Sequence, residues 1–132
     1  MLDILQVTTT AHSGAVDITD MVSRKIQERG VKEGVCLIYV PHTTAAITIN
    51  EGADPAVMED VIDSLERLVP WRAGYKHVEG NAAAHIKTSL IGTSVQVIVE
   101  NGRPLLGTWQ RIFLCEFDGP RTRKVRIKVL VA

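Results

Sequence analysis

Along the 132 residues, apolar and polar positions alternate with period two at both ends of the chain, while apolar residues recur at helical spacing between them. Alternation marks half-buried strands, and recurrence every three to four residues marks amphipathic helices. Leu2 to Thr8 reads as a strand, and Ala15 to Ile18 as a short second one after the turn-like His12-Ser13-Gly14. Thr19 or Asp20 is placed to cap a helix running to about Arg29, with Met21, Val22 and Ile26 on one face and Gly30 as a left-handed stop. Gly34 to Val40 is continuously apolar and β-branched, which suits a strand covered on both faces, and Pro41 breaks it. From 42 to 51, Thr44, Ala46, Thr48 and Asn50 alternate with Ala45, Ile47, Ile49 and Glu51, a strand with one polar face.

Asp54 followed by Pro55 starts a second helix, because the carboxylate accepts from unpaired backbone N–H groups and proline at the first helical position loses no hydrogen bond. Its apolar stripe is Val57, Val61, Ile62, Leu65 and Leu68, and Glu59, Asp60, Asp63 and Glu66 form an acidic outer face. Residues 70–81, with a Trp and a Tyr among glycines, read as a long loop of the functional kind. Asn81 then caps a short helix ended by Gly92. Ser94 to Glu100 is a strand closed by Asn101-Gly102, the strongest hairpin signal in the chain. Gly107 to Phe117 and Val125 to Val131 are the last long strands, joined by the turn Asp118-Gly119-Pro120. The pattern predicts one α+β domain, residues 1–132, rich in β structure, with a mostly antiparallel sheet or sandwich and two to three short helices.

Composition narrows the class. A chain of 14.5 kDa with 45% apolar and 23% charged residues has enough material for one packed core and none of the bias of disordered or fibrous sequences. No window reaches the roughly 18–20 apolar residues of a membrane span, and the N-terminus lacks the basic start of a signal peptide, so a cytoplasmic protein is expected. Cys36 and Cys115 lie far apart in apolar runs and read as buried thiols. The 15 basic and 15 acidic residues cancel, which argues against bulk binding to nucleic acid or membranes and mildly favours self-association. The cancellation is between segments. Residues 51–66 carry six acids and no base, and residues 121–128 carry five bases and no acid. From Lys124 onward the bases alternate with Val125, Ile127, Val129 and Val131, as on a solvated edge strand.

Candidate chemistry gathers in four places. His42, His77 and His85 would make a metal site if they met, since zinc takes neutral imidazole nitrogens, but no HExxH or HxH spacing forces them together, and ordinary polar histidines remain the commoner reading of such a trio. Asn50, Glu51 and Asp54 sit at a strand-to-helix corner where they either cap the helix or hold a hard cation such as Mg²⁺. Arg121 and Arg123 follow a turn, and the planar guanidinium fork matches phosphate oxygens. Trp109 and Gln110, just past Gly107-Thr108, either fill a core or stack on a flat heterocycle and bond its edge.

Four segments together, PHTTAAITINEGADP at 41–55, YKHVEGNAAAHIK at 75–87, NGRPLLGTWQRIFLCEFDGPR at 101–121 and the Arg123 beyond them, resemble the YjbQ-type family, often named secondary thiamine-phosphate synthase. The resemblance covers essentially the whole chain. It implies a β-rich single-domain α+β fold assembled as a homotrimer, and a weak activity joining a pyrimidine diphosphate to a thiazole phosphate. It also implies a divalent metal, expected to be zinc, on His42, His77 and His85, with Mg²⁺ as the alternative for a diphosphate substrate. On this reading His42, Glu51 and Arg121 are catalytic candidates. Thr43, Thr44, Asn50, Asn81, Thr108, Trp109, Gln110, Arg121 and Arg123 bind a small phosphorylated metabolite, the arginines or the metal meeting the diphosphate and Trp109 with Gln110 the heterocycle. The alternative is a trimeric sensor or accessory protein that binds a metal or phosphometabolite without converting it. Nucleic-acid binding by the basic strand carries little weight, because no aromatic residues are interleaved with it.

Overall fold

The computed structural model describes residues 2–132. The elements in chain order are β1 (Leu2–Thr8), β2 (Gly14–Asp17), α1 (Thr19–Arg29), β3 (Gly34–Tyr39), β4 (Ala45–Glu51), α2 (Pro55–Leu68), α3 (Ala82–Ile91), β5 (Ser94–Glu100), β6 (Arg103–Pro104), β7 (Gln110–Glu116) and β8 (Thr122–Val131). Every pairing is antiparallel. One sheet has the order β1-β8-β3-β5-β6 and the other β2-β7-β4, which gives the expected α+β class in a two-sheet, three-helix form. None of the described helices is long and apolar enough to cross a membrane.

Strand alternation builds the first core. Leu5 and Val7 of β1, Val125 and Ile127 of β8, Cys36 and Ile38 of β3, and Val97 and Val99 of β5 meet Ala45, Ile47, Ile112 and Leu114 of the smaller sheet, and α1 closes the packing with Val22 and Ile26. The opposite face of the smaller sheet presents Ala46, Phe113 and Cys115 to Met58, Ile62 and Leu65 of α2 and Ala84 of α3. The layers are therefore large sheet, small sheet and the pair α2 and α3, with α1 closing the inter-sheet core, and β7 is buried on both sides.

Several sequence expectations are refined here. Helix α1 begins at Thr19 with Ile18 in the capping position, and neither Thr19 nor Asp20 caps it; Asp17 Oδ1 accepts the Thr19 N–H instead (2.9 Å), and Thr19 Oγ1 accepts from Ile112 N (2.7 Å). Asp54 caps α2 as expected, its Oδ1 accepting from Ala56 N at 3.0 Å. Leu68, placed on the α2 stripe by periodicity, is 75% exposed, and the buried stripe runs through Met58, Ile62 and Leu65. β3 is covered on one face only, with Val35 and Leu37 half-buried and Tyr39 exposed on the other. β8 is an interior strand between β1 and β3, so Lys124, Arg126 and Lys128 run down the middle of the open face of the large sheet and not along an edge. β7 starts at Gln110, three residues later than the apolar pattern suggested, because Gly107 to Gln110 closes a turn in which Gln110 N donates to Gly107 O (3.0 Å). The Asn101-Gly102 hairpin is present, with φ of 53° and 74° as a two-residue turn of this type requires.

Candidate functional site

The chain passes from the large sheet to the small one between β3 and β4, and this crossover carries Pro41, His42, Thr43 and Thr44. The same end of the sandwich receives the 70–81 loop, the first turns of α3 and the β7–β8 connection, so His42, His77, Glu79, Asn81, His85, Arg121 and Arg123 line one cavity of about 710 Å³. Three stretches far apart in sequence, around 42, 77–85 and 121–123, are thereby brought to a single place.

Its floor is a buried ion pair. Arg123, on the core-facing side of β8, donates through Nε to Glu116 Oε1 (2.8 Å) and through Nη2 to Glu116 Oε2 and to Thr44 Oγ1 (2.9 Å). The Glu116 carboxylate also accepts from Thr9 Oγ1 (2.8 Å) and Asp118 N (3.0 Å). Burial alone would raise the Glu116 carboxyl, but these donors, Arg123 first, outweigh it and hold it below the usual carboxylate range.

Arg121 is different. Its side chain is half-exposed and is aimed by Asp118, whose backbone O accepts from Nε (2.7 Å) and whose Oδ2 accepts from Nη2 (2.9 Å). Asp118 Oδ2 accepts from Asn81 Nδ2 as well (2.9 Å), so one carboxylate positions two cavity residues. Asn81 stands at the N-terminus of α3, but its side chain makes this bond and does not cap the helix. Asn81 Oδ1 is buried and has no hydrogen-bond partner among the described residues. Such an acceptor costs about 1–3 kcal/mol unless something donates to it.

His42 Nε2 accepts from the Lys124 N–H at 2.9 Å. A ring nitrogen that accepts an amide N–H has no proton, so the neutral ring carries its proton on Nδ1 and presents a donor. The imidazole is held below its ordinary range, by burial first and by the Arg123 charge second. His77 and His85 form a pair with ring centroids 5.2 Å apart and planes at 85°, and His77 Nε2 lies 3.9 Å from Glu79 Oε2. Among the described residues, no group of three or more His, Cys, Asp or Glu side chains is placed to hold a metal ion. With His42 turned to the Lys124 amide, the residue types that suit a borderline ion in this cavity are the imidazoles of His77 and His85.

The remaining sequence candidates lie elsewhere. β4 and β7 run antiparallel with Ala45 opposite Glu116 at the cavity end and Glu51 opposite Gln110 at the other. Six residue steps of about 3.4 Å put Asn50, Glu51, Thr108, Trp109 and Gln110 roughly 20 Å from the histidines. Trp109 is 63% exposed, and Gln110 Oε1 accepts from Gly107 N (2.8 Å). Asn50 Oδ1 accepts from Glu51 N (2.7 Å) and Glu51 Oε2 from Asp54 N (3.3 Å), so the oxygens at this corner serve the backbone of the turn into α2. Glu79 and Asp118 stand within the segments that carry the family resemblance but had been given no role, and Glu116, inside the apolar run of β7, had no sequence signal at all; Asp118 also stands three residues before Arg121, the residue it aims.

A two-sheet α+β protein with a histidine–arginine cavity at one end of its sandwich is the class these contacts define. The chain belongs to the UPF0047 YjbQ-like family, whose model matches residues 3–132. It is 53% identical over 131 residues to the UPF0047 protein YugU of Bacillus subtilis strain 168, a match covering 98% of this chain and 99% of that one. A crystal structure of a conserved YjbQ/UPF0047 family protein from Clostridium acetobutylicum is 48% identical, with a TM-score of 0.95 over 97% of this chain and 99% of that one. The YbjQ-like protein SSO2532 of Sulfolobus solfataricus is 36% identical and also superposes with a TM-score of 0.95, over 100% of this chain and 97% of that one.

Proposed function

We propose that the cavity binds a small phosphorylated metabolite and that the chain is a transferase of thiamine-phosphate synthase type, joining a pyrimidine-methyl diphosphate to a thiazole phosphate. What supports the reading is the convergence on one cavity of an arginine aimed by Asp118, a neutral histidine offering N–H, and Asn81, whose amide oxygen has no donor among the described residues. In the reaction a ring nitrogen of the thiazole forms a C–N bond to the pyrimidine methylene carbon, the C–O bond breaks, and diphosphate leaves with the bonding pair. Negative charge grows on the leaving group, where preorganised cations and donors act best. Arg121 meets that charge with the guanidinium edge turned from Asp118, and His42 donates from Nδ1. Proton exchange with the departing diphosphate falls to Glu79, and Glu51, at the far end of β4, has no part in it.

A divalent metal, zinc by the donor type, is part of the proposal: His77 and His85 would hold it, and it would supply a Lewis-acid charge at the diphosphate. Self-association as a homotrimer is the proposed assembly. The open face of the large sheet carries Ile4, Tyr39, Ile98 and Leu130 exposed beside the Lys124–Lys128 stripe, a mixed surface suited to a second copy.

The test is incubation of the purified chain with the two phosphorylated heterocycles, with product thiamine phosphate oxidised to its fluorescent thiochrome form. Arg121→Ala and His42→Ala should each lower turnover about a hundredfold or more, the size of effect expected from one lost transition-state donor. Turnover that neither change alters would refute the assignment, and saturable binding without product would convert it to a sensor. Elemental analysis of the wild type against His85→Ala reads the metal, whose absence from both would remove it from the proposal.

A further inference from the structure

A second cavity, of about 470 Å³, opens beside the first and is lined by Trp71, Arg72, Tyr75, His77 and Glu79 of the 70–81 loop. His77 and Glu79 line both cavities, so the two are compartments on either side of one wall. The chain has only six Phe, Trp and Tyr residues in all, and Phe113 and Phe117 are core. Two of the remaining four lie in this one irregular loop. Both rings are held. Trp71 packs against the α2 cluster and meets the His12 ring edge-on at 4.5 Å, and Tyr75 Oη donates to Pro70 O at 2.6 Å, tying the loop back on itself. Gly74, at φ 70°, supplies the left-handed residue that lets Tyr75 return toward Trp71.

Resting on the anion-pocket reading above, we propose that this compartment is the heterocycle subsite: an amino-substituted six-membered heteroaromatic ring lies against Trp71 and Tyr75 while its phosphate reaches past His77 to Arg121. Flat π-faces are what preheld aromatic side chains take, with little dependence on which ring it is. The polar lining adds the choice. Arg72 offers donors to ring nitrogens, and Glu79 offers acceptors to an exocyclic amino group. The volume suits a single substituted ring. This places heterocycle recognition on the 70–81 loop, beside the charged pocket of the same chain, and takes it away from Trp109 and Gln110.

The experiment uses the full chain carrying Trp109→Phe, which leaves Trp71 as its one tryptophan. It is titrated with aminopyrimidine-methyl diphosphate and, separately, with inorganic diphosphate, read by fluorescence and by calorimetry. The pyrimidine compound is expected to change Trp71 emission saturably, and inorganic diphosphate to bind without doing so. Trp71→Leu and Tyr75→Leu should each weaken the pyrimidine compound about tenfold, the loss typical of one stacking partner, while inorganic diphosphate affinity stays the same. Unchanged inorganic diphosphate binding also reports that these variants are folded. If both probes bind but the loop variants weaken neither, the subsite is overturned and the anion pocket stands. If the Trp109→Phe change itself abolishes pyrimidine binding, the heterocycle sits at the other end of β7 and the proposal is likewise overturned. If inorganic diphosphate fails to bind the wild type, the anion pocket fails, and the subsite with it.

Discussion

Replacing Glu116 by Gln would remove one charge from a pair whose members are 1% and 3% exposed. The carboxylate accepts from Thr9, from two nitrogens of Arg123 and from Asp118 N. A glutamine keeps one acceptor and turns an NH₂ toward donors, so Arg123 is left charged, buried and facing a repelling group. Breaking a buried pair from one side costs roughly 3–5 kcal/mol. For a domain of this size, at about 3–5 °C per kcal/mol, the melting temperature should fall by about 10–20 °C. The double change Glu116→Leu with Arg123→Met removes both charges and should recover at least half of the loss, because most of the single-variant penalty belongs to the orphaned guanidinium. Urea titration and calorimetry at pH 7 measure both. The pH sign follows from the depressed carboxyl: its contribution is complete above the ordinary value of 4.5 and is lost as pH falls through the lower folded value. The gap between wild type and Glu116→Gln should therefore narrow as pH falls below 4.5. A Glu116→Gln protein within about 1 kcal/mol of wild type, or a double variant as unstable as the summed singles, would refute the reasoning.

Three further outcomes are expected. A Cβ at Gly34 would lie 2.0 Å from Leu130 O, backbone that cannot yield without parting β3 from β8, so Gly34→Ala should cost about 3 kcal/mol or more in urea unfolding. The folded chain holds His42 neutral below the ordinary value of 6.5, so its contribution to stability is complete above that pH and declines as pH falls below it; NMR titration of the imidazole should give a midpoint under 6.5, and a midpoint above it would contradict the effect of its burial and of the Arg123 charge. Light scattering should give three times the chain mass for the wild type and a smaller species for Ile98→Glu or Leu130→Glu, and a monomeric wild type would exclude the trimer.

The strands, the Asn101-Gly102 turn and the Asp54-Pro55 helix start were legible because each depends on neighbours within a few residues. The position of β8 was not: the alternation of Lys124, Arg126 and Lys128 with apolar residues describes one open face equally well at an edge or in the middle of a sheet. The site was half legible. The histidines and arginines singled out in the sequence do line one cavity, but strand direction decides which of the other polar candidates join them, and β4 carries Asn50 and Glu51 away from His42 along its whole length. Lys87 gave no signal at all. It reads as a surface residue on α3, yet it is 0% exposed, bonded to Glu66 across to α2 and lying over the Phe117 ring.

β7 has a consequence for how any occupant would be noticed. Ile112 and Leu114 belong to one apolar interior, Phe113 and Cys115 to the other, and the next residue, Glu116, anchors the cavity floor. Neither interior can come apart without disturbing that floor, which makes melting of the two halves one cooperative event. A molecule that binds there is thermodynamically linked to the entire chain, and at a hundred times its dissociation constant it should add about 2.7 kcal/mol to global stability. Differential scanning with metabolite mixtures would sense it before any turnover were measured.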